Sequence, residues 1–103
     1  MISKFLEKRV EFEYDGFLQK LRNTLELEYY LLESDCFEIE DCRSQKTYGI
    51  EIVKKHQGIL NERRKFENIF STREKTKNLI NLLAENTVTP ATLPYILDDL
   101  LAM

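Results

Sequence analysis

The residues with the best claim to chemistry lie in the middle of the chain. Cys36, Cys42 and His56 are its two thiols and its single imidazole. A thiol becomes a nucleophile when histidine or another positive group within hydrogen-bonding reach holds it as thiolate. One histidine and two cysteines in a chain of 103 residues is a coincidence that chance supplies, and His56 stands beside Gln57-Gly58, where a turn is expected. The simpler reading is a turn histidine and two loop thiols, one of them tucked into a core. Zinc asks for four ligands at short spacings; Cys36, Cys42 and His56 reach four only with Asp35 or Asp41 in an unusual geometry. Calcium fares no better, because Asp35, Glu38, Glu40 and Asp41 lack the glycine and the spacing of an EF-hand loop. With three glycines in all, at 16, 49 and 58, the chain offers no glycine-rich phosphate cradle, and no nucleophile-elbow motif is present. The carboxylates form no recognisable acid–base pair. No catalytic residue, cofactor or metal site is expected, and the protein is read as not an enzyme.

A different chemistry is suggested by Lys54, Lys55, Arg63, Arg64 and Lys65, which flank His56-Gln57-Gly58. Cations on two paired strands can form a positive patch, and phosphate backbones attract such patches. Against a nucleic-acid role stands the acidic balance of the chain, with net charge -3 and pI near 5.2. Charged strands also protect sheet edges from aggregation. The distribution of charge is uneven. Residues 26–41 hold seven carboxylates and no Lys or Arg, whereas residues 43–65 hold seven Lys and Arg against Glu51 and Glu62. Such blocks either place opposite charges on neighbouring strands or make a polar surface, and the second is the simpler expectation.

The length bounds the chain to one modest core. Hydrophobic residues at 43% and charged residues at 32% are ordinary for a soluble globular protein. No apolar stretch approaches the roughly 20 residues of a membrane-spanning helix. The segment Met1-Ile2-Ser3-Lys4-Phe5-Leu6-Glu7-Lys8-Arg9 carries charge where a signal peptide needs an apolar core. A cytoplasmic location is the expectation, and two cysteines are too few for a disulfide framework.

The elements that must position these groups follow from periodicity. Leu25, Leu27, Tyr29 and Leu31 alternate with polar residues, as do Tyr48, Ile50 and Ile52, so both tracts are predicted to be strands with one buried face. Gly58 supplies the positive φ of a tight hairpin turn, and the chain returns with Ile59 and Phe66 as its apolar contributions. Val10, Phe12 and Tyr14 alternate into Asp15-Gly16, a hairpin dipeptide; a helical stripe can also be drawn there, but Phe12 falls off it. Residues 34–45 read as a loop with a short extended piece at Phe37–Ile39. Ser71 and Glu74 have the spacing of a capping box, followed by the stripe Thr76, Leu79, Ile80, Leu82 and Leu83 and by Asn86 as terminator. Thr89-Pro90 opens a second helix, with Thr92 as an alternative cap that suits Pro94 better. In that helix Leu97, Leu100 and Leu101 are expected to face the core and Asp98 and Asp99 the water.

Several of these stretches stand out together: Tyr29-Tyr30-Leu31-Leu32-Glu33-Ser34; Tyr48-Gly49-Ile50-Glu51-Ile52-Val53-Lys54-Lys55; Glu67-Asn68-Ile69 with Ser71 and Glu74-Lys75; and Asn86-Thr87-Val88-Thr89-Pro90 with Thr92-Leu93. In combination they resemble a family of small uncharacterised proteins, of about 100 residues, from anaerobic, often spore-forming, Gram-positive bacteria. The resemblance covers residues 25–103 and extends loosely to the N-terminal part. It implies strands followed by two helices, and it brings no activity and no site residues.

The expected fold is therefore a single α+β domain over residues 1–103. Its antiparallel meander has about four strands, near 4–14, 23–33, 46–55 and 58–68, with helices near 71–86 and 90–101 on one sheet face. The alternative is an N-terminal helix with a three-stranded sheet. The expected role is a cytoplasmic protein-interaction or regulatory module, through a protein partner or self-association, without a membrane. The other reading is a nucleic-acid-binding regulator using the basic hairpin 54–65.

Overall fold

The alternating tract around Tyr29 is the centre of the fold. The computed structural model describes residues 2–15, 22–35 and 46–101. Strand β1 (Ile2–Asp15) pairs antiparallel with β2 (Arg22–Asp35), β2 with β3 (Lys46–His56), and β3 with β4 (Ile59–Phe70). The sheet order is β1-β2-β3-β4, the meander expected from the sequence. The N-terminal segment is a strand, as the off-stripe Phe12 required: Val10 lies opposite Leu27 and Phe12 opposite Leu25. Strand β2 runs on through Ser34 and Asp35, beyond the expected boundary at residue 33, because Asp35 is still paired with Lys46. The Asp15-Gly16 turn, the Phe37–Ile39 piece, Cys36 and Cys42 fall wholly or partly outside the described residues.

Side chains paired across an antiparallel ladder share a face. Tyr29 opposite Ile52 and Leu31 opposite Ile50 form the helix side of the sheet, and all four are fully buried. Helix α1 (Arg73–Glu85) lays Thr76, Leu79, Ile80 and Leu83 on this face, and helix α2 (Leu93–Leu101) adds Leu93 and Leu97. Burying each such aliphatic side chain contributes roughly 1.5–3 kcal/mol. The Tyr29 hydroxyl is satisfied within the core, donating to the Val88 carbonyl at 2.9 Å. Burial raises the Tyr29 phenol to about 12.

The helix boundaries differ from the expected ones in instructive ways. Strand β4 stays paired to Phe70, so Ser71 is spent on the turn and Thr72 becomes the cap of α1. Thr72 Oγ1 accepts from the Lys75 N–H at 3.4 Å, and its carbonyl accepts from Thr76 Oγ1 at 2.9 Å. The Ser71–Glu74 box is one residue out of phase. At the other end Asn86 is not left-handed; Thr87 is, with φ 47. The Thr87 N–H donates to the Ala84 carbonyl at 3.1 Å and the Val88 N–H to the Leu83 carbonyl at 3.0 Å. This is a Schellman ending, with the buried pair Val88 and Leu83 as its hydrophobic contact. The second helix begins at Leu93 rather than residue 90, and Thr89-Pro90-Ala91-Thr92 forms a turn in which the Thr92 and Leu93 N–H groups both donate to the Thr89 carbonyl. Pro94 thus sits at the second helical position, where an absent donor leaves nothing unpaired. Asp98 and Asp99 are exposed as expected, but so are Leu100 and, on α1, Leu82, which lies off the stripe of Thr76, Ile80 and Leu83 on the outer side of the helix; the side chain of Leu101 falls outside the described residues. Ile59 is also exposed, at the tip of the β3–β4 hairpin, so the apolar weight of β4 falls on Phe66, Ile69 and Phe70 instead.

Two backbone features set the shape of the β3–β4 hairpin. Its two-residue turn has positive φ at Gln57 (53) and Gly58 (78), the type I′ geometry that matches the twist of paired strands. His56 is the last residue of β3, opposite Ile59, and not part of the turn. Further along, β4 carries a bulge between Phe66 and Phe70, with Asn68 left-handed at φ 56. The bulged main chain closes over Gly49: a Cβ there would lie 2.1 Å from the Phe66 carbonyl oxygen and 2.8 Å from the Glu67 Cα. Thr47 Oγ1 donates to Asn68 Oδ1 and meets Ser34 Oγ at 3.0 Å, so a hydroxyl–amide chain crosses three strands beside the bulge.

Two outcomes follow. Gly49→Ala forces backbone to move and is expected to destabilise by about 3 kcal/mol or more, read as a lowered urea midpoint. For Tyr29, the phenol is neutral in the folded chain up to about 12 but ionises near 10 when unfolded. Its contribution to stability is complete below pH 10 and is lost as pH rises from 10 to about 12. The stability difference between wild type and Tyr29→Phe therefore shrinks across that interval, as urea titrations at stepped pH will measure.

Candidate interaction surface

Both described helices lie on one face of the sheet. The opposite face carries the other half of each alternating tract: Leu6, Arg9 and Glu11 of β1, Glu26, Glu28, Tyr30 and Leu32 of β2, and Glu51, Val53 and Lys55 of β3. It is less exposed than a polar face usually is. Leu32 and Val53 are buried, and two carboxylic residues are nearly so, Glu51 at 4% and Glu28 at 7% exposure. Charges in that position must be paired. Lys4 Nζ lies 2.5 Å from Glu51 and 4.1 Å above the Tyr30 ring. The Tyr30 hydroxyl donates to Glu28 Oε1 at 3.0 Å, and Lys55 Nζ reaches the same oxygen at 3.1 Å. Burial, followed by the Glu28 hydrogen bond, raises the Tyr30 phenol above its usual range. Arg9 joins the network's margin at 2.9 Å from Glu26 and 3.2 Å from Glu11.

Acidic and basic blocks are thus placed on neighbouring strands, contrary to the simpler expectation of a merely polar surface. Lys55 pairs with Glu28 across β2 and β3, and Lys46 lies 3.3 Å from both Glu33 and Asp35. Arg73 at the head of α1 extends this end of the network, 3.5 Å from Glu33 and 4.9 Å from the Phe5 ring.

The basic residues singled out in the sequence are divided. Lys55 is engaged with Glu28 on the helix-free face, whereas Lys54, opposite Leu27, falls on the helix side. There Lys54 lines a cavity of about 290 Å³ with Leu25, His56 and Asn61. Arg63 and Lys65 lie opposite Val53 and Glu51, on the helix-free face, and Arg64 lies opposite Ile52. These three line one side of a groove of about 370 Å³. Its other side is apolar, from Ile2 and Leu32, and the Lys4–Glu51 pair belongs to its lining. Lys65 is 3.5 Å from Glu67, while Arg63 and Arg64 have no ion-pair partner among the described residues. Sequence reasoning missed Lys4. Its place in the groove depends on the β1–β2 register and on how β4 approaches the rest of the sheet, and no local pattern announces either. Among the described residues no group of three or more His, Cys, Asp and Glu can hold a metal ion, and no helix is long and apolar enough to cross a membrane.

The Lys4–Glu51 pair can be tested directly. Lys4→Met leaves a carboxylate of 5% side-chain exposure without its cation and is expected to cost about 2 kcal/mol of stability. Adding Glu51→Leu to that variant restores most of the loss in chemical denaturation.

No curated protein and no solved structure matches the chain. A family of unknown function, DUF6514, does, over residues 8–103. That span takes in most of β1, the remaining strands and both helices. The chain belongs to the DUF6514 family of unknown function.

Proposed function

We propose that this protein is a non-enzymatic interaction or regulatory module of the cytoplasm, working through the helix-free face of its sheet and the adjoining edge of β4. One observation carries this reading. Arg63 and Arg64 border a groove without an ion-pair partner among the described residues, while the groove's carboxylate, Glu51, is already met by Lys4. Lys4, Arg9, Lys46 and Lys55 are all paired, whereas these two neighbouring guanidiniums meet no carboxylate among the described residues, which supports their presentation to a partner. Arginine suits such a role, because its planar fork binds carboxylates in two-point fashion.

Nucleic acid is the second candidate for that basic surface. The division of Lys54 and Lys55 between the two faces, with Lys55 held by Glu28, speaks for a protein partner over a phosphate backbone. A backbone is followed by a continuous stripe of cations.

The test compares tagged wild type, an Arg63→Glu/Arg64→Glu/Lys65→Glu variant and a Lys75→Glu control, each captured from the native host and analysed by mass spectrometry. Lys75 is an exposed residue of α1. A partner, or an untagged copy of the same chain, is expected with wild type and the control and lost from the triple variant. Identical co-purifying sets from all three would sink the assigned surface. Turnover of a substrate by the purified protein, abolished by a change in one cavity, would sink the non-enzymatic role.

A further inference from the structure

The two outermost strands of the sheet are β1 and β4, and their charges are in different states. On β1, Lys4 is held by Glu51, Arg9 by Glu26 and Glu11, and Glu7 lies 4.0 Å from Lys77. Four charges of that edge are met from within the molecule, whereas Lys8 and Glu13 have no ion pair among the described residues. On β4, the run Glu62-Arg63-Arg64-Lys65 has two guanidiniums without ion-pair partners among the described residues. Pairing with β3 uses one edge of this strand, so half of its main-chain donors and acceptors point away from the sheet. Strand alternation then sends Arg63 and Lys65 to one face and Arg64 to the other.

We infer that the free edge of β4 around Arg63–Lys65 receives an extended acidic segment of a partner protein as a fifth strand. This rests on the reading of the protein as an interaction module and names the partner's chemistry. Main-chain hydrogen bonds supply the affinity in strand addition, and side chains on alternate sides supply the choice of partner. An incoming strand lies in the plane of the sheet and places side chains on both faces. Carboxylates on one side meet Arg63 and Lys65, and a carboxylate on the other side meets Arg64, all three cations bordering the groove. The split arrangement that suits a phosphate backbone poorly is the one an added strand requires. The same cations repel a basic strand and another copy of this edge, which leaves the site open to acidic sequences.

The experiment uses the full chain and a labelled peptide of alternating Glu and Val, followed by fluorescence anisotropy. Its companions are the same peptide N-methylated at alternate amides, a Lys-Val peptide, and a single-stranded oligonucleotide of equal charge. The Glu-Val peptide is expected to bind, with affinity falling at higher salt. Arg63→Glu/Arg64→Glu is expected to weaken it by about tenfold or more, and Lys75→Glu to leave it unchanged. N-methylation is expected to abolish binding, and the Lys-Val peptide to show none. If the double variant does not fold, amide hydrogen exchange on wild type serves instead: slowed exchange within residues 62–66 on adding the Glu-Val peptide supports the added strand, and unchanged exchange overturns it. Equal binding of the N-methylated peptide overturns strand addition while leaving an anionic partner in place. Equal or tighter binding of the oligonucleotide overturns the choice of a protein partner. Absence of Glu-Val binding overturns the acidic strand; a co-purifying partner still lost with the triple variant would then leave the interaction role standing by itself.

Discussion

The pairing register between β2 and β3 is the constraint on which the other features depend. It sets Tyr29 against Ile52 and Leu31 against Ile50, and in the same stroke puts Glu28 and Glu51 on the reverse face. A slip by one residue would present carboxylates to the helices and leucines to the charged network. The register is held at several levels. Core packing holds one face, while Lys55–Glu28 and Lys46–Glu33 join the two strands directly. The type I′ turn at Gln57-Gly58 then carries the alignment to β4, and the Gln57 N–H donates back to the Thr24 carbonyl at 2.8 Å.

With that register in place, the two faces have separate tasks. The helix side is closed by aliphatic packing and by a phenol that finds its acceptor in the Val88 carbonyl, the same segment that terminates α1. On the reverse side no helix lies among the described residues, and an interlaced set of ions and one aromatic ring holds it. Each exposed ion pair of this kind contributes little by itself, about 0–1 kcal/mol. Glu51 and Glu28 differ because they are nearly buried, so their partners Lys4, Lys55 and Tyr30 are needed to offset desolvation. The guanidiniums of β4 lie outside this accounting, which is what sets them apart as a surface for something further.

Much of the architecture is legible in the sequence because it is written in period two and period 3.6. Leu27, Tyr29, Leu31, Ile50 and Ile52 share one buried face as their alternation requires, and of the α1 stripe Thr76, Leu79, Ile80 and Leu83 are buried while Leu82 is not. Terminators were harder. Ser71, Thr72, Asn86 and Thr87 are all acceptable end residues, and the choice among them was made at a distance, by where β4 stops pairing and where Val88 meets Tyr29. The surface was least legible. A charge on a strand reads the same whether it is solvated or paired, and only the register reveals that Lys55 meets Glu28 while Arg63 has no ion pair among the described residues. The Gly49–Phe66 approach is silent for a similar reason: the glycine answers a bulge between Phe66 and Phe70, far downstream in the chain.

The contact between the Tyr29 hydroxyl and the Val88 carbonyl joins residues 59 apart in the chain. During synthesis the four strands emerge from the ribosome before either helix, and each strand pairs with a neighbour already made. The greasy face of that nascent sheet has no helix to rest against until Leu79, Ile80 and Leu83 have been made, and it is not fully covered until Leu93 and Leu97 follow. The domain therefore passes through a stage in which a largely formed sheet is open on its core side. Aggregation at that stage is opposed by the charges along both outer strands, Lys4 to Glu13 on one and Glu62 to Glu67 on the other. The order of elements along the chain thus assigns those edge charges a task that ends when translation does.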